Sequence, residues 1–389
     1  MTRITEDWLS DPATQAVCAA LAAGGAQALF VGGCVRNALM GVPVRDIDLS
    51  TDAVPERVIA LARAAGIKAV PTGIEHGTVT LVKDGIGHEV TTFRKDVETD
   101  GRRAVVAYST RVEEDAARRD FTMNALYARS DGTVLDPLGG LADLQARRVR
   151  FIGNASDRIR EDYLRSLRYF RFHAWYGCDD LGFDPEALAA IADNLDGLST
   201  LSRERVGGEL LRLLAAPDPA PAVATMRSTG ALGQVLPGSD DRALAPLVHL
   251  EAQTGASPDG LRRLAALGGV DVEETLRLSR AQTRALDRMR EAAAGVMAPA
   301  ELGYRLKEEA ARDALLLRCA WSEQPWPEAA EEAIAQGAAA RFPVTARDLM
   351  PGLAGAALGE KLAELEAVWI ASGFSRDKAS LLSGDSGAD

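Results

Sequence analysis

Strand signals in this chain of 389 residues stop near residue 145, and that break limits the fold more than any other feature. Before it, short β-prone runs at residues 28–31, 47–50, 78–82, 88–93 and 104–108 alternate with helical stretches such as 55–65. That is the pattern of an α/β or α+β domain. After it, Ala, Leu, Arg and Glu recur at helical spacing, interrupted by prolines such as Pro217, Pro237, Pro258, Pro299 and Pro343. This reads as a string of helices joined by short turns. The length also exceeds that at which a single core keeps growing, so two or more domains are expected. The small, acidic residues 384–389 read as a loose tail.

Composition excludes several classes of function. With 47% hydrophobic and 26% charged residues the chain is ordinary for a globular protein, and no apolar run is long enough to span a bilayer. The N-terminal residues lack the apolar core of a signal peptide, so no export is expected. Cys18, Cys34, Cys178 and Cys319 are scattered singly, which argues against a disulfide framework or a clustered zinc site and fits a reducing cytoplasm. A net charge of −12 argues against non-specific nucleic-acid binding by the whole surface. Residues 145–171 are the exception, with eight arginines against three acids.

Within the first segment, Asp46-Ile47-Asp48 follows Gly32-Gly33. On an extended strand both carboxylates point the same way with Cα atoms about 6.6 Å apart, a geometry that holds hard cations. Such triplets also occur as solvated strand ends. Gly32-Gly33 closes a strand before a plausible helix at 34–40, so backbone N–H groups can approach a phosphate, with Arg36 in the first turn to make forked contacts. A tight strand-to-helix turn is the plainer alternative. Metal-assisted nucleotidyl transfer generally needs a third carboxylate. Candidates are Glu75, Asp84 and Glu89, and Glu89 is preferred, because it shares a face with Thr91 and Phe93 on a strand that can be aimed at Asp46 and Asp48. Asp84-Gly85 reads as the hairpin turn before that strand.

Two further clusters carry chemistry. In Arg118-Arg119-Asp120-Phe121-Thr122-Met123-Asn124, Asp120 and Asn124 share a face that can address ribose hydroxyls while Arg119 reaches phosphates; Asp120 can equally cap a helix. In Glu161-Asp162-Tyr163-Leu164-Arg165-Ser166-Leu167-Arg168, a spacing of three sets Asp162, Arg165 and Arg168 along one helical ridge. A carboxylate beside a guanidinium can read the Watson–Crick edge of a base; the alternative is an ordinary intrahelical ion pair.

Together with Val31-Gly32-Gly33-Cys34-Val35-Arg36, Glu89-Val90-Thr91-Thr92-Phe93-Arg94 and Asp136-Pro137-Leu138-Gly139-Gly140, these motifs resemble the class II CCA-adding tRNA nucleotidyltransferase and bacterial poly(A) polymerase family over residues 25–210. Ser202-Arg203-Glu204-Arg205-Val206 and the segment from Phe342 to Ile370 resemble its later motifs. The resemblance implies a polymerase-β-like nucleotidyltransferase head at 1–145, a helical neck for base recognition at 146–210, and a helical body and tail for tRNA binding at 211–389. It implies that Asp46 and Asp48 bind Mg²⁺ with Glu89 as third acid. Gly32, Gly33, Arg36 and Arg119 would hold the triphosphate, Asp120 and Asn124 would lie near the ribose, and Asp162, Arg165 and Arg168 would read CTP or ATP. Asn37, Tyr163 and Ala346 depart from the family's usual Asp, Pro and Gly.

Full CCA addition is the expected activity, because residues 94–110, with Asp100-Gly101-Arg102 at their middle, resemble the loop tied to the switch from C to A addition. Poly(A) synthesis and partial CC or A addition are the alternatives within the family. A catalytically silent RNA-binding protein is the alternative of another class, disfavoured by retention of all three carboxylates.

Overall fold

The computed structural model describes residues 2–95, 107–350 and 352–383. Both the centre of the 94–110 loop and the tail at 384–389 lie outside the described residues. The chain divides into two compact units. One comprises residues 1–209 and 225–235, the other 210–224 and 236–389.

The first unit is built on a mixed sheet. Its strands are β1 (Leu29–Val31), β2 (Ile47–Thr51), β3 (Lys68–Gly73), β4 (Thr78–Lys83), β5 (Ile86–Thr92), β8 (Tyr127–Ala128) and β9 (Val134–Leu135), in the order β3-β4-β5-β2-β1-β8-β9. A separate two-stranded ladder joins β6 (Arg94–Lys95) to β7 (Ala107–Tyr108). The β2–β5 pair is parallel and all other pairs are antiparallel.

Alternation along the strands separates the two faces of the sheet. Leu49, Val79, Leu81, His88 and Val90 are buried, with β4 and β5 lying against the helices Pro12–Ala23 and Pro55–Ala64. His88 is held there by a hydrogen bond of 2.9 Å between its Nε2 and Thr14 Oγ1. Asp48, Ser50, Thr78, Glu89 and Thr91 instead line a recess on the opposite face. Asp84 and Gly85 form the expected turn between β4 and β5, with φ of +50° and +84°. Phe93 does not share the face of Glu89. The strand ends at Thr92, the Phe93 amide donates to the Thr51 carbonyl, and the ring packs with Leu29, Val31, Ala116 and Tyr127.

Beyond β9 the first unit continues in helices, among them Ala155–Glu161, Leu164–Tyr176, Pro185–Ala192 and the start of Arg203–Leu214. The second unit is helical among the described residues, from Leu244–Thr254 to Lys378–Ser383. One of its cores gathers Val344, Leu365, Trp369 and Leu381, with Phe342, Tyr304 and Phe374 against them. No helix of the described residues is long and apolar enough to cross a membrane.

Candidate active site

Parallel pairing of β2 with β5 sets Asp48 directly beside Glu89. Strands in a sheet lie about 4.8 Å apart, so the two carboxylates project side by side from one face. Asp46 precedes the strand by one residue and is exposed. Burial, with Glu89 and Asp46 adding like charge, raises the Asp48 pKa to about 6, while Arg119 pulls the other way. Among the described residues, no three His, Cys, Asp or Glu side chains close around a point to enclose a metal ion. The acids form an open cluster. An open pair of carboxylates fits a hard divalent cation that completes its shell with water and substrate phosphates rather than with an all-protein cage.

At the end of β1 the chain turns through Gly32, whose φ of +68° suits glycine alone, into the helix Gly33–Met40. A Cβ at Gly32 would lie 3.6 Å from Arg119 Nη1, so the bare backbone and this guanidinium border the same space. Arg119 is fixed from behind. Its Nη2 donates to Asp115 Oδ2 at 2.9 Å and its Nε to the Tyr127 hydroxyl at 3.1 Å, and Tyr127 in turn donates to Asp115 at 2.8 Å. Arg118 closes on the other oxygen of Asp115 at 2.6 Å. Burial pushes the Asp115 pKa up, but Arg119 and Arg118 outweigh it and hold this carboxyl at about 2.

A second network crosses the recess. Asn124 Oδ1 accepts from Arg36 Nη1 at 2.5 Å, Asn124 Nδ2 donates to Asp120 Oδ1 at 3.0 Å, and Asp120 Oδ2 accepts from Arg168 Nε and Nη2 at 2.8 and 2.5 Å. Asp120 and Asn124 meet through the 3₁₀ turn Thr122–Asn124, as their spacing suggests. Arg36 also donates to Tyr176 and to Asn37 Oδ1, both at 2.9 Å, so the amide at position 37 serves as its acceptor. Phe172 lies under Arg36, Arg168 and Arg171, whose guanidinium carbons stand 4.6 to 5.3 Å from its ring centre.

Gly32, Gly33, Arg36, Asp48, Glu89, Arg119, Asp120, Asn124 and Arg168 thus border one cavity of about 390 Å³. Asp162 and Arg165 are not among its lining residues. The expected ridge through Asp162, Arg165 and Arg168 is not formed, because Asp162 ends the helix Ala155–Glu161 and the next begins at Leu164. Asp162 uses Oδ1 to accept the Leu164 amide at 3.1 Å and Oδ2 to accept from Arg205 at 2.7 Å. Arg165 pairs with Glu161 at 2.6 Å and donates to the carbonyls of Arg158 and Arg118. The basic stretch is largely neutralised in the same way, by Asp143, Asp157, Glu161, Asp120 and Glu209.

Sequence reasoning missed Asp115, Tyr127 and Phe172. For Asp115 a local signal existed, since it stands three and four residues before Arg118 and Arg119 on the helix Val112–Ala117 and its end.

Two family descriptions match the chain: the poly A polymerase head domain over residues 28–150, and the probable RNA and SrmB-binding site of polymerase A over residues 180–242. The crystal structure of the Bacillus stearothermophilus CCA-adding enzyme in complex with CTP superposes with a TM-score of 0.73 at 30% identity, covering 93% of each chain. The chain belongs to the CCA-adding enzyme family. Human mitochondrial CCA tRNA nucleotidyltransferase 1 is 44% identical over 186 residues, 48% of this chain and 43% of the relative. The CCA-adding enzyme of Levilactobacillus brevis is 40% identical over 241 residues, 60% of this chain and 58% of the relative. The match therefore spans about half the length of these curated relatives. Members of the family generally use a divalent metal, which the open carboxylate pair accommodates.

Proposed function

We propose that this member of the family is a CCA-adding tRNA nucleotidyltransferase that adds C, C and A to the 3′ end of tRNA from CTP and ATP. The observation that carries the reading is the shared cavity. It joins a carboxylate pair, a bare glycine turn and buried arginines within one recess on the face of the sheet. In the reaction the 3′-hydroxyl oxygen bonds to the α-phosphorus, the bond from that phosphorus to the β-phosphate breaks, and pyrophosphate leaves. The hydroxyl proton passes to a carboxylate of the cluster.

Asp46 and Asp48 would hold Mg²⁺, with Glu89 beside them; the ion would neutralise charge on the phosphates and activate the hydroxyl. Gly33 offers its backbone N–H to the triphosphate beside the bare Gly32, whose own N–H donates to the Leu126 carbonyl, and Arg119, braced by Asp115 and Tyr127, aims a fixed guanidinium at it. Asp120 and Asn124 would meet the ribose. Base reading by Asp162, Arg165 and Arg168 would require Asp162 and Arg165 to exchange Arg205 and Glu161 for the nucleotide. Positioning and electrostatic neutralisation supply most of the catalysis. A cytoplasmic setting suits the four free thiols.

The matched head-domain description, which names poly A polymerase, favours poly(A) synthesis as the second reading. One experiment separates the two. The full chain is supplied with all four nucleotides and tRNA lacking its 3′ end, and the product is sequenced. Addition of C, C and A, abolished in Asp46→Ala and Asp48→Ala, supports the proposal. Long adenosine tracts, or undiminished addition by those variants, would overturn it.

A further inference from the structure

Arg94 lines the cavity with one of its donors unpaired: it borders the same recess as Asp48 and Glu89, and its Nε is buried with no hydrogen-bond partner among the described residues. Burial and the guanidiniums of Arg118 and Arg119 push its pKa down to about 10, against the carboxylate of Asp115. A partly desolvated cation beside two more cations is stabilised by an incoming anion.

Across the β6–β7 ladder, the register partner of Arg94 is Tyr108. Its ring lies against Gly77, where an added Cβ would come within 2.9 Å of Tyr108 Cε1. The glycine lets the ring settle on the backbone, yet Tyr108 stays 38% exposed. An aromatic face held on backbone, beside an arginine with a free donor, is the pair of groups that holds single-stranded RNA: the base stacks on the ring and a phosphate meets the guanidinium.

The order of strands says which end of the reaction this pair serves. Gly77 leads into β4, and along the sheet β4 and the glycine turn after β1 lie on opposite sides of the carboxylate pair on β5 and β2. In-line displacement places the attacking and leaving oxygens on opposite sides of the phosphorus. With the triphosphate on the glycine turn, the attacking hydroxyl approaches from the side of Thr78 and of Tyr108, whose ring lies on Gly77.

We propose that Arg94 and Tyr108 form the seat of the acceptor RNA's 3′-terminal nucleotide, its base stacked on Tyr108 and a phosphate held by Arg94. The inference rests on the nucleotidyl-transfer reading above and assigns the RNA side of that site. Its test uses the full chain and truncated tRNA whose 3′-terminal base is replaced by fluorescent 2-aminopurine, with no nucleotide added. Stacking quenches the fluorescence; Tyr108→Trp keeps the quenching and Tyr108→Leu loses it. In steady-state addition, Tyr108→Leu and Arg94→Ala each raise KM for truncated tRNA about tenfold, and with Tyr108→Leu, which lies outside the cavity lining, KM for CTP stays within about twofold. Quenching by Tyr108→Leu equal to the unmodified chain overturns the seat. An equal rise in both KM values also overturns it, since it signals general damage to the site. If the unmodified chain quenches but incorporates no CTP, the transfer reading fails and the seat stands.

Discussion

Asp48 and Glu89 are register partners on parallel strands, so two carboxylates share one face of the sheet at neighbouring positions. Like charges set side by side destabilise a sheet, here by up to about 1 kcal/mol. The arrangement opposes folding and favours a bound cation, the stability–function conflict expected of a catalytic site.

Asp48→Asn therefore separates the two effects. Removing one charge raises the melting temperature by a few degrees at most, while nucleotidyl transfer falls by about a thousandfold or more, since the metal-bound charge stabilisation is worth several kcal/mol. Scanning calorimetry and single-turnover CTP addition read the pair. A lower melting temperature with activity retained would refute both the repulsion and the metal role.

Asp115 is a second buried carboxylate, with the opposite balance. It is fully buried against Arg118, Arg119 and the Tyr127 hydroxyl. Asp115→Asn leaves two guanidiniums without their counter-charge and costs about 3 to 5 kcal/mol. Because Arg119 loses its brace, KM for CTP rises more than KM for tRNA. Urea unfolding and steady-state kinetics measure the two losses, and a stability change below about 1 kcal/mol would remove the anchoring role.

The same carboxyl sets a pH dependence. Its folded pKa, about 2, lies below the unfolded value near 3.9, so its contribution is complete above about pH 4. It is lost as pH falls from about 4 through about 2, because the unfolded chain takes up the proton first. The stability gap between the unmodified chain and Asp115→Asn should shrink by about 2 kcal/mol between pH 5 and pH 2. A gap constant over that range would show that Asp115 is not ionised at a depressed pKa in the folded protein.

What the sequence revealed follows from how local each signal is. Glu89 was legible because a strand's period of two places it on one face whatever lies around it. The Gly32-Gly33 turn and the Asp84-Gly85 hairpin were legible because backbone conformation is a local property. The ridge through Asp162, Arg165 and Arg168 was misread because a period of three presumes an unbroken helix, and Asp162 instead accepts the Leu164 amide where one helix gives way to the next. The bracing of Arg119 by Tyr127, and the placing of Arg36 over Phe172, depend on contacts between separate elements, which no spacing along the chain encodes, whereas Arg168 stands four residues before Phe172 on one helix, a spacing that could have been read.

Tyr163, whose ring packs over the turn at Leu195–Thr200, is matched by Gly197. A Cβ at Gly197 would lie 1.9 Å from Tyr163 Cε1, so the ring occupies the space that any side chain there would need. Gly197→Ala forces the ring or the turn to shift and costs about 1 to 3 kcal/mol. Tyr163→Ala removes the obstruction, so the double variant should be more stable than the sum of the single changes implies. Strict additivity in urea unfolding would show that the two residues do not oppose each other.

In the second unit, Glu251 holds two adjacent arginines in the interior. Its Oε1 accepts from Arg262 Nε at 2.8 Å and its Oε2 from Arg263 Nε at 2.9 Å, with all three residues almost fully buried. Arg263 also donates to the carbonyls of Leu214, Ala216 and Pro217, and Arg262 to Asp313 at 2.5 Å. Glu251→Gln keeps the shape but removes the one carboxylate paired with Arg263 among the described residues, leaving its charge to carbonyl dipoles, whereas Arg262 keeps Asp313. The change should cost about 3 to 5 kcal/mol, and Arg263→Met in the same chain should recover part of it by withdrawing the stranded charge. Urea unfolding of the two variants decides the matter. If Arg263→Met deepens the loss, the guanidinium is held by its three carbonyls rather than by Glu251.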